Sequence, residues 1–269
     1  MILWLLFCLA YVVFKLHRYG FEVHLLYAIY RSKRLNSFLE RVGRRSPRLW
    51  RVVGNVGVAA YLGQVAFMTY LLFINLYRFA YRPERASPVM PLIPGVTIRL
   101  ESLPWFLAAA GFVILIHEIS HGVQCVVEDV PIRSSALLFA VVTFGGAVEP
   151  DEEAMEAAAM MSKMRIYAAG SLSNLATGLL VIVALILLGG LLPDAASLFL
   201  NWVYFLSINL ALVNMLPIYP LDGGQMLRTY VSSMRRGGEI LQRTAMYGFV
   251  ALMVSNVVLS LIRFGLIPL

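Results

Sequence analysis

Uncharged apolar runs recur along the chain, separated by short stretches that hold most of its charge. Three runs, 52–77, 166–193 and 195–221, are each long enough to cross a hydrocarbon layer of about 30 Å as a helix. Three more candidates are shorter or interrupted. Residues 1–14 extend to a span if Lys15 snorkels, and they lack the positive start and small-residue cleavage site of a signal peptide. Residues 103–127 span if the polar motif inside them is tolerated, and 244–262 supply a last crossing. The expectation is an all-α polytopic membrane protein with six transmembrane helices.

The connections refine that picture. Residues 18–51 form a basic loop with enough Leu, Phe, Tyr and Val to include a helix lying along the membrane. Residues 78–101 are broken by Pro83, Pro88, Pro91, Pro94 and Gly95 and read as turns and extended chain. Between 128 and 165 lies SSALLFAVVTFGGAVEP, too short for two crossings and too apolar for an exposed loop. A short re-entrant or β-like element shielded by the helices is expected there, because bare backbone facing lipid loses its hydrogen bonds. DEEAMEAAAMMSKM follows, with an acidic start and an alanine-rich centre suited to a helix N-terminus.

Composition agrees with a membrane protein: 60% of the 269 residues are hydrophobic and 14% charged, with a mean hydropathy of +0.77. Charge placement gives the orientation. With the N-terminus outside, 17 of the 22 Lys and Arg fall on the inner side, and Arg78, Arg82, Arg85, Arg99 and Arg263 on the outer. The net charge of +7 then needs only anionic inner-leaflet lipid as a partner, and no nucleic-acid recognition module accompanies the basic loop. Cys8 and Cys125 sit in separate apolar segments and read as buried small side chains.

The chemistry lies in ILIHEISHGV, residues 114–123. His117 and His121, at i and i+4, share a helical face and can present two imidazoles to one zinc ion. Glu118 beside them is placed to take a proton from a water activated by that ion and return it to a leaving amine. Ionisable groups at such depth are costly without a polar partner or cavity. Hydrogen-bonded packing histidines and a non-catalytic ion site are the plainer readings of the same residues.

A third ligand is needed. His17 and His24 belong to the first inner boundary and could reach the ion only through a fold-back. Asp222, in NMLPIYPLDGGQ, ends an uncharged run and can complete a two-histidine, one-carboxylate site. Topology checks this: the third and fifth spans both run inward and bring His117, His121 and Asp222 to the same side. Pro217 and Pro220 make a continuous helix there unfavourable, and Gly223 and Gly224 permit a tight turn. Asn214 is a candidate to stabilise the oxyanion formed on a peptide carbonyl, and Asn174 in AGSLSNL is a second intramembrane amide; either can also simply pair helices. Asn209 reads as a packing or water-binding residue.

HEISH together with NMLPIYPLDGG resembles the site-2 protease family of intramembrane zinc metalloproteases, and PGVTIRLESLPWFLAAAGFVILIHEISHG is similar to its sterol-response branch. The resemblance covers about 102–225, which it marks as a metalloprotease core between 1–101 and 226–269. It implies one catalytic Zn2+ held by His117, His121 and Asp222, Glu118 as water activator, and Asn214 and Asn174 as supporting amides. Gly170, Ser171, Leu172, Ser173 and Asn174 depart from the family's G-P-x-x-N at Ser171, and no PDZ domain is evident. Cleavage of transmembrane or signal-peptide-like substrates is implied. A helix hides its carbonyls, so the substrate must be locally unwound, and Phe144, Gly145, Gly146, Ala147, Val148 and Glu149 are candidates to pair with it as an edge strand. With no transit segment or retrieval tail apparent, a prokaryotic cell membrane is expected, the active site nearer its cytoplasmic side. A metal or solute transporter is the rival reading. A prenyl-protein peptidase fits less well, because its second motif carries a glutamate where this chain has Asp222.

Overall fold

The computed structural model describes residues 21–23, 27–31, 33–140, 144–234 and 237–266. Two short strands, β1 (Phe21–Val23) and β2 (Tyr27–Arg31), precede helices α1 (Lys33–Arg45), α2 (Pro47–Tyr81) and α3 (Leu103–Val127). A hairpin of β3 (Ile132–Ala140) and β4 (Phe144–Pro150) leads into the short α4 (Glu152–Ala157). Then come α5 (Met160–Leu188), α6 (Asp194–Asn214), α7 (Asp222–Ser232) and α8 (Gly238–Phe264). Among the described residues α2, α3, α5, α6 and α8 are long and apolar enough to cross a membrane, matching the second to sixth expected spans. The first, 1–14, lies outside the described residues, as do Cys8, His17 and His24.

The packing is that of a chain whose solvent is lipid. Leu180, Ile186 and Ile262 are more than 70% exposed, while Ser171, Asn174, Ser207, Asn256 and Ser260 are fully buried. Hiding leucine from lipid gains nothing, so small and hydrogen-bonding residues hold the helices together. Gly57 of α2 lies against Ala168 of α5, where an added Cβ would stand 3.1 Å from the alanine Cβ. Asn75 of α2 donates to Asn256 Oδ1 of α8 and to the Ser87 carbonyl, and its own Oδ1 accepts from the Ser87 N–H. Ser260 takes the Val89 N–H. One chain of polar contacts thereby ties two spans to the connection between α2 and α3. That connection is further anchored by Ile98, fully buried among Ala109, Val113, Trp202 and Val203 between α3 and α6.

The β-like element is larger than expected. β3 and β4 pair antiparallel, with a register shift between Ile132 and Ser134, and the sheet continues through β2 to β1 in the order β1-β2-β3-β4. The basic loop therefore supplies two strands as well as a helix. Residues 27–31, YAIYR, are rich in the aromatic and β-branched types that suit a strand, and they cover the edge that β3 would otherwise leave unpaired. Leu35, Leu39 and Val42 of α1 recur at i, i+4 and i+7 and pack this helix on Val123, Val126 and Val127 of α3.

The fifth expected span runs uncharged to 221, whereas α6 stops at Asn214. Pro217 has no N–H to continue the helix, and tight turns replace it: Leu216 N–H bonds the Val213 carbonyl and Leu221 N–H the Ile218 carbonyl. This break lets α7 begin at Asp222 beside α3.

Candidate metal centre

α3 presents His117 and His121 on one face, one turn apart, with ring centroids 4.7 Å from each other. Their Nε2 atoms are 3.1 Å apart, and each lies 3.2 Å from Asp222 Oδ2. The three ligand atoms all fall within 4.8 Å of one another, close enough to share one ion. Two imidazoles and a carboxylate make the donor set of a catalytic zinc site with a coordination position left open.

The tautomers suit that use. His121 Nδ1 stands 2.7 Å from the Ile166 carbonyl, which can only accept, so Nδ1 carries the proton and Nε2 keeps its lone pair for the cavity. His117 Nδ1 is 3.0 Å from the side-chain amide of the fully buried Asn174. As placed, Asn174 turns Nδ2 toward that nitrogen and its Oδ1 has no hydrogen-bond partner among the described residues; turning the amide end for end lets Oδ1 accept from Nδ1 and leaves Nε2 its lone pair for an ion. Asn174 thus lies behind His117 and does not line the cavity. Asn214 does line it: its Nδ2 lies 3.0 Å from His117 Nε2 and donates to Asp222 Oδ2 at 2.6 Å.

Three glycines make room, one of them outside the set of site residues read from the motifs. A Cβ at Gly170 would come within 2.6 Å of both His117 Cε1 and Nε2 and would also strike His121 Nε2. The signal for it is position: Gly170 precedes Asn174 by four residues on α5 and shares its face. Gly223 and Gly224 are needed for close approach, since neither has a positive φ. A Cβ at Gly223 would meet the Met215 and Leu216 carbonyls, and one at Gly224 would stand 2.5 Å from the Ile218 carbonyl. Tyr61 of α2 fastens the same turn by donating to the Gly223 carbonyl at 3.2 Å.

The Ile166 carbonyl is itself held in place. Neighbouring Arg165 donates to both carboxylate oxygens of Glu128 at 3.2 Å, and Glu128, only 4% exposed, also accepts from Gln124 and Ser162. This carboxylate pins the end of α3 to the start of α5, so two helices that bear site residues keep a fixed spacing.

Glu118 faces a cavity of about 310 Å3 that it shares with His117, His121, Asn214 and Asp222. Its Oε2 accepts the Val148 N–H at 3.2 Å, and among the described residues Oε1 accepts no hydrogen bond and can meet a water. That bond shows which way β4 points. In an antiparallel ladder a residue turns its N–H and C=O either to its partner strand or away, alternating along the strand. Val148 turns away from β3, so Gly146 and Phe144 share that direction, and the free edge of β4 runs beside Glu118. Glu149 instead lies next to Ser134, whose hydroxyl donates to its carboxylate at 2.5 Å. Asp151 closes the corner after β4. It caps α4 through the Ala154 N–H at 2.9 Å and pairs with Arg133 at 2.8 Å, and both contacts lower its carboxyl below the usual range. Asn209 is exposed and donates only to Phe205 of its own helix, outside the centre.

Comparison with known proteins agrees with this geometry. The model of peptidase family M50 matches residues 105–197 and 191–256. The "Membrane-bound transcription factor site-2 protease homolog" of Arabidopsis thaliana is 23% identical over 168 residues, 62% of this chain and 33% of that protein. The "Putative zinc metalloprotease Rip3" of Mycobacterium tuberculosis strain H37Rv is 33% identical over 143 residues, 50% of this chain and 34% of that protein. The chain spans about a third of the length of the curated relatives it matches.

Proposed function

The chain belongs to peptidase family M50, and from this membership we propose that it is an intramembrane zinc endopeptidase that cuts a peptide bond in a locally unwound transmembrane segment. The observation that carries the reading is the convergence of His117, His121 and Asp222 beside the free Oε1 of Glu118. Zinc held by these three residues would supply a Lewis acid that polarises the substrate carbonyl and lowers the pKa of water.

The protein's own groups do the rest. The Ile166 carbonyl, and Asn174 with its amide oxygen turned to His117 Nδ1, hold the imidazoles in the ligating tautomer. Glu118 accepts a proton as water attacks the carbonyl carbon, then passes it to the nitrogen released when the C–N bond breaks. Asn214 Nδ2, between His117 and Asp222, is the donor placed to stabilise the oxyanion. The free edge of β4, residues Phe144 to Glu149, receives the unwound substrate as an added strand and holds its carbonyls in reach. The core for this work is 102–225, with the spans on either side enclosing it. The substrate class is a transmembrane or signal-peptide-like protein segment. The excess of Lys and Arg in the 18–51, 128–165 and 226–243 connections supports an orientation with the N-terminus outside and the centre toward the cytoplasmic face, and we assign the protein to a prokaryotic cell membrane.

The test is purified protein in detergent with a transmembrane peptide, comparing wild type with Glu118→Gln and measuring zinc content in both. Zinc retained with cleavage lost in the variant is the expected result. Equal cleavage by both proteins would remove Glu118 from the mechanism, and metal-dependent transport without hydrolysis would make the protein a transporter.

A further inference from the structure

Two helix faces lead away from the metal centre toward a second cavity. On α7, Asp222, Gln225, Thr229 and Ser232 recur at i, i+3, i+7 and i+10; on α5, Asn174, Gly170, Tyr167 and Lys163 descend one face in the same way. Where the faces end, a cavity of about 230 Å3 is lined by Lys163, Arg228, Gln225 and Thr229. Tyr167 and Met155 line this cavity and also the one at the metal centre, so the two share a wall.

The second cavity is built for an anion. Lys163 donates to the Glu156 backbone carbonyl at 2.6 Å, which leaves two ammonium hydrogens free. Among the described residues the Arg228 guanidinium has no hydrogen bond or ion pair, whereas Arg51, Arg133, Arg165 and Arg243 each face a carboxylate. Glu156, exposed, is the one acid in the lining; Glu152 and Glu153 of the same helix lie outside it. Two cations with amide and hydroxyl donors therefore face one carboxylate, and an unpaired guanidinium is suited to a bidentate oxyanion.

We propose that this cavity is a subsite that receives a carboxylate side chain of the substrate, about three residues from the bond that is cut. The proposal rests on the peptidase reading. The spacing follows from α7: six residues separate Asp222 from Arg228, about 9 Å at 1.5 Å per residue, and an extended substrate covers that in roughly three residues at about 3.3 Å each. A substrate lying along β4 and passing Met155 enters the cavity by the shared wall. The same two cations repel a lysine at that position, so the subsite selects as well as binds.

The experiment measures binding of fluorescent transmembrane peptides to the Glu118→Gln protein in detergent, with Glu, Gln or Lys scanned across the cleavable region. Cleavage of the same peptides by wild type runs in parallel. At one position two to four residues from the scissile bond, the Glu peptide should bind about five- to tenfold tighter than the Gln peptide. Arg228→Ala should bring that ratio to one, Arg228→Lys should keep part of it, and Arg228→Glu should favour Lys. Equal binding of Glu and Gln peptides everywhere, or no binding at all, overturns the proposal. So does an equal loss for both peptides in Arg228→Ala. If Arg228 instead governs a response to the phosphatidylglycerol content of vesicles, the cavity holds a lipid phosphate. Because binding is read in a protein that need not cleave, failure of wild type to hydrolyse any peptide sinks the peptidase reading while the ratio stays measurable.

Discussion

His121 donates from Nδ1 to the Ile166 carbonyl at 2.7 Å, a bond that joins α3 to α5 and aims the opposite nitrogen at Asp222. Its precision depends on the neighbouring residue. Arg165 is fastened to the buried Glu128, and through it the second turn of α5 is fastened to the end of α3.

Arg165→Ala should therefore weaken zinc binding by about ten- to a hundredfold, the usual cost of losing support behind a metal-ligating histidine. Breaking a buried pair from one side also destabilises, by about 3–5 kcal/mol. A double variant, Arg165→Met with Glu128→Leu, removes both charges and separates the two effects. Competition with a chromogenic chelator reads the affinity, and thermal unfolding reads the stability. Wild-type zinc affinity in the single variant would show that Ile166 is held by other means.

Gly170→Ala should abolish zinc binding while leaving the helices intact, because the added methyl occupies the space between the two imidazoles. Gly63→Ala is the control: a Cβ there meets nothing within 4 Å. Zinc content and helical circular dichroism measured on both proteins check this. A Gly170→Ala protein that keeps one zinc per chain would mean the imidazoles stand elsewhere when loaded.

The two intramembrane amides should part in their effects. Asn174 touches only the far nitrogen of His117, so Asn174→Ala should lower zinc affinity about tenfold or more, with cleavage restored by excess zinc. Asn214 faces the reacting space, so Asn214→Ala should retain zinc and lose about 10²–10³ in kcat. Zinc titration of cleavage by each variant distinguishes them, and matching responses would contradict the split.

Asp151 links the β4 edge to α4, and its carboxyl is lowered by the Ala154 N–H and by Arg133. A lowered carboxyl contributes stability that is present above its unfolded pKa of about 3.9 and is lost as pH falls through the folded value. The protection of the α4 amides from hydrogen exchange, taken against the intrinsic rate at each pH, should accordingly fall below about pH 4, and Asp151→Asn should lack that step. Exchange in the variant that still steps at the same pH would assign the effect to another group.

Much of this site can be read from the chain because its signals are local. HEISH puts His117, Glu118 and His121 within about one turn, and proline before LDGG forces the helix break that frees Asp222. Span counting then places them on one side. What needed the structure is contact between distant segments. Gly170 matters only because α5 passes behind both histidines, and residues 27–31 form a strand only because β3 offers them an edge, to which 21–23 add in turn. Likewise Asn174 reads as a catalytic amide in isolation and as a support once His117 Nδ1 is found beside it.

The free edge of β4 carries the last prediction. Glu118 already occupies the Val148 N–H, so the donors open to a substrate strand are those of Gly146 and Phe144. Proline at an outward-facing edge position removes a donor without breaking the ladder to β3. Gly146→Pro should weaken binding of a transmembrane peptide to the Glu118→Gln protein by about five- to tenfold, since one backbone hydrogen bond contributes about 0.5–1.5 kcal/mol. Zinc content should not change, because residue 146 touches no ligand by backbone. A substrate peptide methylated at a single amide tests the same edge from the other side, and its loss should not add to that of Gly146→Pro where the two groups pair. Full binding and cleavage by the proline variant would mean that the unwound segment is held by side chains and by the metal centre, with β4 serving only to position Glu118.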